Sequence, residues 1–138
     1  MTTDRDDSVA ANVTLNNATI SGGAGNDKIR APSSTMNTKV YGGDGNDKIT
    51  SAPLGFNMET QLLVGGNGDD ILYGGDDRLV AKYYGDILPS SASFDPLLGG
   101  NDIIYGGASA SRLYVGGGYD DRLIIGSDGM GAITAFGD

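Results

Sequence analysis

The sequence contains no cysteine, no histidine and no tryptophan, only four prolines, and a single glutamate, Glu59. Without Cys and His, the usual ligand sets for zinc, copper and iron–sulfur clusters are missing. Thiol nucleophiles and imidazole bases are missing too, and disulfide staples cannot form. Basic residues are scarce: nine Lys and Arg against 18 Asp and Glu leave a formal net charge of −9. That balance argues against a nucleic-acid partner, because phosphate binding needs a basic surface. It equally disfavours an anionic membrane surface. No apolar run approaches the roughly 20 residues that cross a bilayer, so no membrane insertion is expected. The opening stretch Met1–Thr14 has neither the basic nor the apolar region of a Sec signal peptide.

Glycine and aspartate are abundant instead, at 24 and 17 of 138 residues. An ordinary globular domain averages roughly 7 % Gly. Collagen would need Gly at every third position and abundant Pro, and a disordered acidic tail would lack regular apolar positions. Neither applies, since Ile, Leu and Val recur along the whole chain. Gly-rich segments resist helix formation, and the length suits one domain. An all-β fold is expected.

Three segments repeat one pattern. Gly22–Arg30 reads GGAGNDKIR, Gly42–Thr50 reads GGDGNDKIT and Gly65–Tyr73 reads GGNGDDILY. All fit G-G-x-G-x-D-x-U-x, with U a large aliphatic. Degenerate copies follow. Gly116–Ile124, GGGYDDRLI, has Tyr119 for the fourth Gly; Gly106–Tyr114, GGASASRLY, has Ser109 for Gly and Ser111 for Asp. Gly126–Thr134 has Gly131 in the Asp slot, and Gly74–Leu79 and Gly99–Ile104 have shortened turns. The nonapeptide resembles the repeat of the RTX (repeat-in-toxin), hemolysin-type calcium-binding family.

The U positions read as Ile20, Ile29, Val40, Ile49, Leu63, Leu72, Leu79, Leu88, Leu97, Ile104, Leu113, Leu123 and Ile133. Their spacing averages about nine residues, the length of one unit. A unit of one turn and one short strand reverses the chain, so two units make a coil and alternate U residues stack. One column, Ile29, Ile49, Leu72, Leu88, Ile104 and Leu123, has an acid two residues before every member: Asp27, Asp47, Asp70, Asp86, Asp102 and Asp121. The opposite edge has Ala18, Thr38, Gln61, Asp77, Asp95, Ser111 and Gly131 in those slots, and it carries the longer insertions Ala31–Tyr41 and Ser51–Val64. The expected fold is a right-handed parallel β-roll (a β-solenoid) of about six coils. It would span residues 20–134, after a lead-in or cap at 1–19 and before a tail at 135–138. Tyr41, Tyr73, Tyr105 and Tyr114 sit beside U positions and are expected to face outward.

Calcium takes six to eight oxygen ligands at about 2.3–2.6 Å and tolerates irregular geometry, whereas magnesium demands a near octahedron. One glycine turn cannot supply that number, but two stacked turns can. The RTX resemblance implies ions held between turns one coil apart. One site would take the carbonyls of Gly23 and Gly25 with Asp27, facing the carbonyls of Gly42 and Asp44 with Asp47. A second would take Gly43, Gly45 and Asp47, facing Gly65, Asn67 and Asp70. Asp86, Asp102 and Asp121 lie in turns that depart from the motif, so two well-formed sites and one to three weaker ones are expected. For all these acids the alternative reading is turn punctuation, because Asp, Asn and Gly are common turn residues. That reading is favoured for Asp77 and Asp95.

The resemblance implies a calcium-binding module of a secreted bacterial protein that folds on meeting extracellular calcium. It further implies export by type I secretion machinery, whose address usually lies beyond the repeats, where only four residues remain here. A catalytic role is not expected, since RTX rolls accompany enzymes whose activity sits in separate domains. The competing reading is an adhesive or surface-layer module in which a coil end or the tyrosine strip engages glycans or neighbouring copies.

Overall fold

Triplets such as Lys28-Ile29-Arg30 and Lys48-Ile49-Thr50 put one aliphatic residue between two polar ones, the period-2 pattern of a strand with one buried face. Glycine pairs interrupt them before any helix could propagate. The computed structural model describes residues 3–10, 15–31, 35–51, 61–74, 80–86, 99–106, 111–125 and 133–136.

In it the strands form two facing parallel sheets. One sheet runs β1 (Thr3–Asp4), β4 (Thr19–Ala24), β7 (Thr38–Asp44), β9 (Gln61–Asn67), β11 (Val80–Tyr84), β13 (Ser111–Val115) and β15 (Ile133–Phe136), in that spatial order. The second runs β2 (Ser8–Ala10), β5 (Lys28–Arg30), β8 (Lys48–Thr50), β10 (Ile71–Tyr73), β12 (Ile103–Gly106) and β14 (Arg122–Ile125). The chain alternates between the sheets, and each strand hydrogen-bonds to its counterpart one coil away. This is an all-β solenoid of stacked coils. A short parallel pair, β3 (Leu15–Asn16) with β6 (Thr35–Met36), lies on the connections that return from the second sheet to the first. Residues 3–10, within the expected lead-in, already extend both sheets through pairing with β4 and β5.

The core is two stacked columns. From the second sheet come Val9, Ile29, Ile49, Leu72, Ile104 and Leu123, each in register with the next. From the first come Ile20, Val40, Leu63, Tyr83 and Tyr114. Ile29, Ile49, Leu72, Ile104, Val40, Leu63, Tyr83 and Tyr114 are essentially solvent-free. The stack of apolar side chains inside a β-roll thus forms where the motif puts U, for the second sheet.

Several expected core positions are corrected. Leu72 pairs directly with Ile104, so no rung carrying Leu88 intervenes between them; Leu88 itself, like Leu79 and Leu97, lies outside the described residues. In the first sheet the inward positions after Leu63 are Tyr83 and Tyr114, while Leu113 pairs with Lys82 on the outward register. Ile133 pairs with Arg112, two places before Ala135, the partner of Tyr114. Tyr114 therefore points inward and not outward. It stacks on Tyr83 with ring centroids 5.1 Å apart and planes 11° from parallel. The physical reason is the length of one coil. Asp70 and Asp102, equivalent neighbours in the stack, are 32 residues apart, so counting in nines inserts a rung that is not there. β11 and β12 follow one another across the glycine-turn edge with residues 87–98 between them in sequence, on the edge expected to be free of long insertions.

Candidate metal centre

The glycine turns connect each strand of the first sheet to its partner in the second, and their backbone explains the motif. Gly43 and Gly45 have φ of 131° and 117°, a region where a Cβ is strained. Their counterparts Gly23, Gly25, Gly66 and Gly68 repeat the geometry. Tyr119, in a fourth-Gly slot, is held at φ 77°. The turn is retained there, at the cost a side chain incurs in that region.

At the end of each turn stands the motif aspartate. Asp7, Asp27, Asp47, Asp70, Asp102 and Asp121 form one continuous ladder: the N–H of each donates to Oδ1 of the next, at 2.7–2.9 Å. One carboxylate oxygen is thereby used in stacking the coils. The other is left over. Among the described residues, Oδ2 of Asp27, Asp47, Asp70 and Asp102 is buried and accepts no hydrogen bond.

These spare oxygens lie against the first glycine of their own turn, close to a backbone oxygen of the next coil. A methyl group placed on Gly42 would touch Asp47 Oδ2 and would lie 2.6 Å from the Gly65 carbonyl oxygen of the next coil. The same arrangement joins Gly22, Asp27 Oδ2 and the Gly42 carbonyl. It recurs for Gly65, Asp70 and the Gly85 carbonyl, and for Gly85, Asp102 and the Gly116 carbonyl. Each first glycine is thus flanked by a carboxylate oxygen of its own turn and a carbonyl oxygen of the next. The Gly85 and Gly116 carbonyls each accept one N–H, from Gly66 at 2.8 Å and from Asp86 at 3.1 Å, whereas the carboxylate oxygen beside them has no donor, so the arrangement calls for a proton or a cation.

The carboxyl acidities say the same. Burial, reinforced by neighbouring aspartates and only partly offset by the ladder hydrogen bonds, pushes Asp47 up to about 6, Asp102 to about 8 and Asp70 to about 9. Without a cation these groups hold protons far above the ordinary carboxylate range. Among the described residues no three carboxylates converge on one point, so a cation here would draw most of its ligands from backbone carbonyls. An oxygen-only donor set of mixed carboxylate and carbonyl groups suits calcium, which would supply the positive charge that joins adjacent turns.

Of the expected ligands, Asp27, Asp47, Asp70, Asp102 and Asp121 share the ladder. The Gly42 carbonyl faces Asp27 and the Gly65 carbonyl faces Asp47. The carbonyl oxygens of Gly23, Gly25, Gly43 and Gly45 face the equivalent glycines one coil on, Gly43, Gly45, Gly66 and Gly68. Those of Asp44 and Asn67 accept N–H groups of Gly25 and Gly45, each at 2.8 Å. Asp77 and Asp95 lie outside the described residues.

Asp86 does not join the ladder. It follows β11, and its carboxylate accepts the N–H of Gly100 at 3.1 Å and of Gly118 at 2.7 Å. Both of its oxygens are therefore engaged, and burial pushes its pKa up despite these bonds. Asp86 ties together a split turn: Gly85 on one side of residues 87–98 and Gly99–Asp102 on the other make the cradle that Gly42–Asp47 makes in one piece. Asp102 thus has a full turn after all, assembled across the insertion.

Sequence reasoning passed over three sets of residues. Gly22, Gly85 and Gly116 hold the cradle position of Gly42, and the first Gly of each motif was the available signal. Asp7 opens the ladder without any motif. The residue before each motif Asp forms a second, exposed ladder, in which Asp6, Asn26, Asn46, Asp69 and Asn101 accept the N–H of Asn26, Asn46, Asp69, Asn101 and Asp120 at 2.8–3.1 Å. The recurring Asn-Asp and Asp-Asp pairs were its trace in the sequence.

Comparison with known proteins agrees with this geometry. The family model for the RTX calcium-binding nonapeptide repeat matches four copies, at residues 14–31, 37–52, 61–79 and 98–121. They correspond to a solenoid of about four turns, fewer than the six coils expected. No match was found among curated proteins or among solved structures. The matched copies cover more than half of the chain, and with its β-solenoid and aspartate ladder it belongs to the RTX calcium-binding repeat family.

Proposed function

We propose that this chain is a non-catalytic β-roll module that folds when calcium enters the spaces between its glycine turns, in the extracellular setting of a secreted bacterial protein. Type I secretion machinery is the export route that fits the family. The observation that carries the reading is the repeated pairing of a buried, unbonded aspartate oxygen with a carbonyl oxygen of the next coil. Each such pair opposes stacking until a cation joins it, so calcium and coil formation are coupled by mass action. The cradles of Asp27, Asp47, Asp70 and Asp102 are the proposed sites, with Asp121 at the end of the ladder.

Circular dichroism with and without calcium tests this. At neutral pH the chain in excess EDTA should show little β-structure and should gain it cooperatively at millimolar calcium, the range of extracellular modules. Magnesium at the same concentration should do much less. Ion counting by titration calorimetry should give several calcium ions per chain. A cooperative thermal transition of undiminished amplitude in EDTA would overturn the proposal.

A further inference from the structure

The charge of this chain is unevenly placed. The strands of the second sheet, β2, β5, β8, β10, β12 and β14, contain no acidic residue at all, although the chain carries a net charge of −9. Their outward positions form two columns in register. One contains Lys28, Lys48, Ile71, Ile103 and Arg122; the other contains Arg30, Thr50, Tyr73, Tyr105 and Ile124. The four cations are exposed, and the isoleucines and tyrosines between them are half-buried. Tyr73 and Tyr105 lie ring over ring, 4.8 Å apart and 1° from parallel, and the ammonium of Lys48 sits 5.0 Å from the Tyr73 ring centre. The result is a narrow strip along the solenoid axis with cations toward both ends and an aromatic, apolar middle.

We infer that this strip binds a linear anionic glycan, a chain of pyranose rings with a carboxylate on each. Charge complementarity selects the anion: four cations on strands that contain no carboxylate. Tyr73 and Tyr105 cover each other's faces and Lys48 lies over Tyr73, so a ligand meets the ring edges. With Ile71 and Ile103 these edges make a narrow apolar strip that suits a single extended chain better than a folded protein surface, which would need shape and a larger apolar area. The direction fits too, since the strand-to-strand rise of about 4.8 Å is close to the length of one pyranose unit. This inference rests on the calcium-dependent fold, because the columns exist only once the coils stack.

The test is titration calorimetry of the calcium-loaded protein with a galacturonic acid hexamer, against a glucose hexamer and a glutamate hexamer. The uronate should bind, more weakly as salt rises, and the neutral and peptide hexamers should bind at least about tenfold less tightly. The double variants Lys28→Glu/Lys48→Glu and Tyr73→Ala/Tyr105→Ala should each weaken uronate binding about tenfold or more, as expected of exposed charge and ring contacts. Their calcium response, followed by circular dichroism, should match that of the unaltered chain, which separates loss of this face from failure to fold. No uronate binding by a folded protein, equal binding by the variants, or tighter binding of the glutamate hexamer would each overturn the inference, the last in favour of an acidic protein partner.

Discussion

Gly42 shows how much one missing side chain decides. Its neighbours Gly43 and Gly45 are needed for backbone sign, but Gly42 is needed for space, because a Cβ there would sit against Asp47 Oδ2 and the Gly65 carbonyl. Gly42→Ala should therefore remove one ion from the calorimetric count and raise the calcium concentration needed for folding. The loss of one binding term at a hundredfold calcium excess over Kd is about 2.7 kcal/mol, enough for an evident shift in a small domain. An unchanged stoichiometry in Gly42→Ala would mean that the cradle is not the binding site. Asp86 makes the converse point. By type and spacing it reads as another ladder aspartate, yet its two oxygens are held by Gly100 and Gly118, so it acts as a clip.

Among the elements, β11 and β13 depart furthest from the repeat and still close the core. Where β7 and β9 offer Val40 and Leu63, they offer the stacked, solvent-free Tyr83 and Tyr114. Gly106 makes room for this, since a Cβ there would collide with the Tyr114 hydroxyl. Tyr114→Ala should cost about 3–5 kcal/mol, the range for truncating a large buried aromatic, read from denaturant unfolding at saturating calcium. A loss below about 1 kcal/mol would place Tyr114 outside the core. This substitution was not legible beforehand: a tyrosine beside a leucine reads as outward when registers are counted in nines, and only strand pairing reveals the slip.

For the whole molecule, the aspartate ladder links folding to pH as well as to calcium. Asp47, Asp70 and Asp102 hold their protons to about 6, 9 and 8 in the calcium-free fold, against 3.8 for an ordinary aspartate. The calcium-free fold therefore binds more protons than the unfolded chain above about pH 4. Its stability is greatest below that pH and is lost as pH rises toward about 9. Calcium must displace these protons, so its apparent affinity should rise with pH. Circular dichroism should show β-structure appearing in EDTA as the pH falls toward 4, and the calcium midpoint should drop between pH 5 and pH 8. A midpoint independent of pH over that interval would contradict the protonated ladder.

The family, the parallel β-roll and the column of turn aspartates were legible in the sequence, because each depends on local chemistry repeated at short range. A glycine in a left-handed turn, an aspartate at its end and an aliphatic residue two places on act within nine residues. That is why Asp27, Asp47 and Asp70 could be placed without coordinates. Tertiary structure alone decided what depends on long-range register. It paired Leu72 with Ile104 across residues 73–103, joined Gly85 to Gly99–Asp102 as one turn, turned Tyr114 inward and gathered Lys28, Arg30, Lys48 and Arg122 on one face. Backbone hydrogen bonding between coils fixes these choices, and it aligns strands whatever the length of chain that separates them.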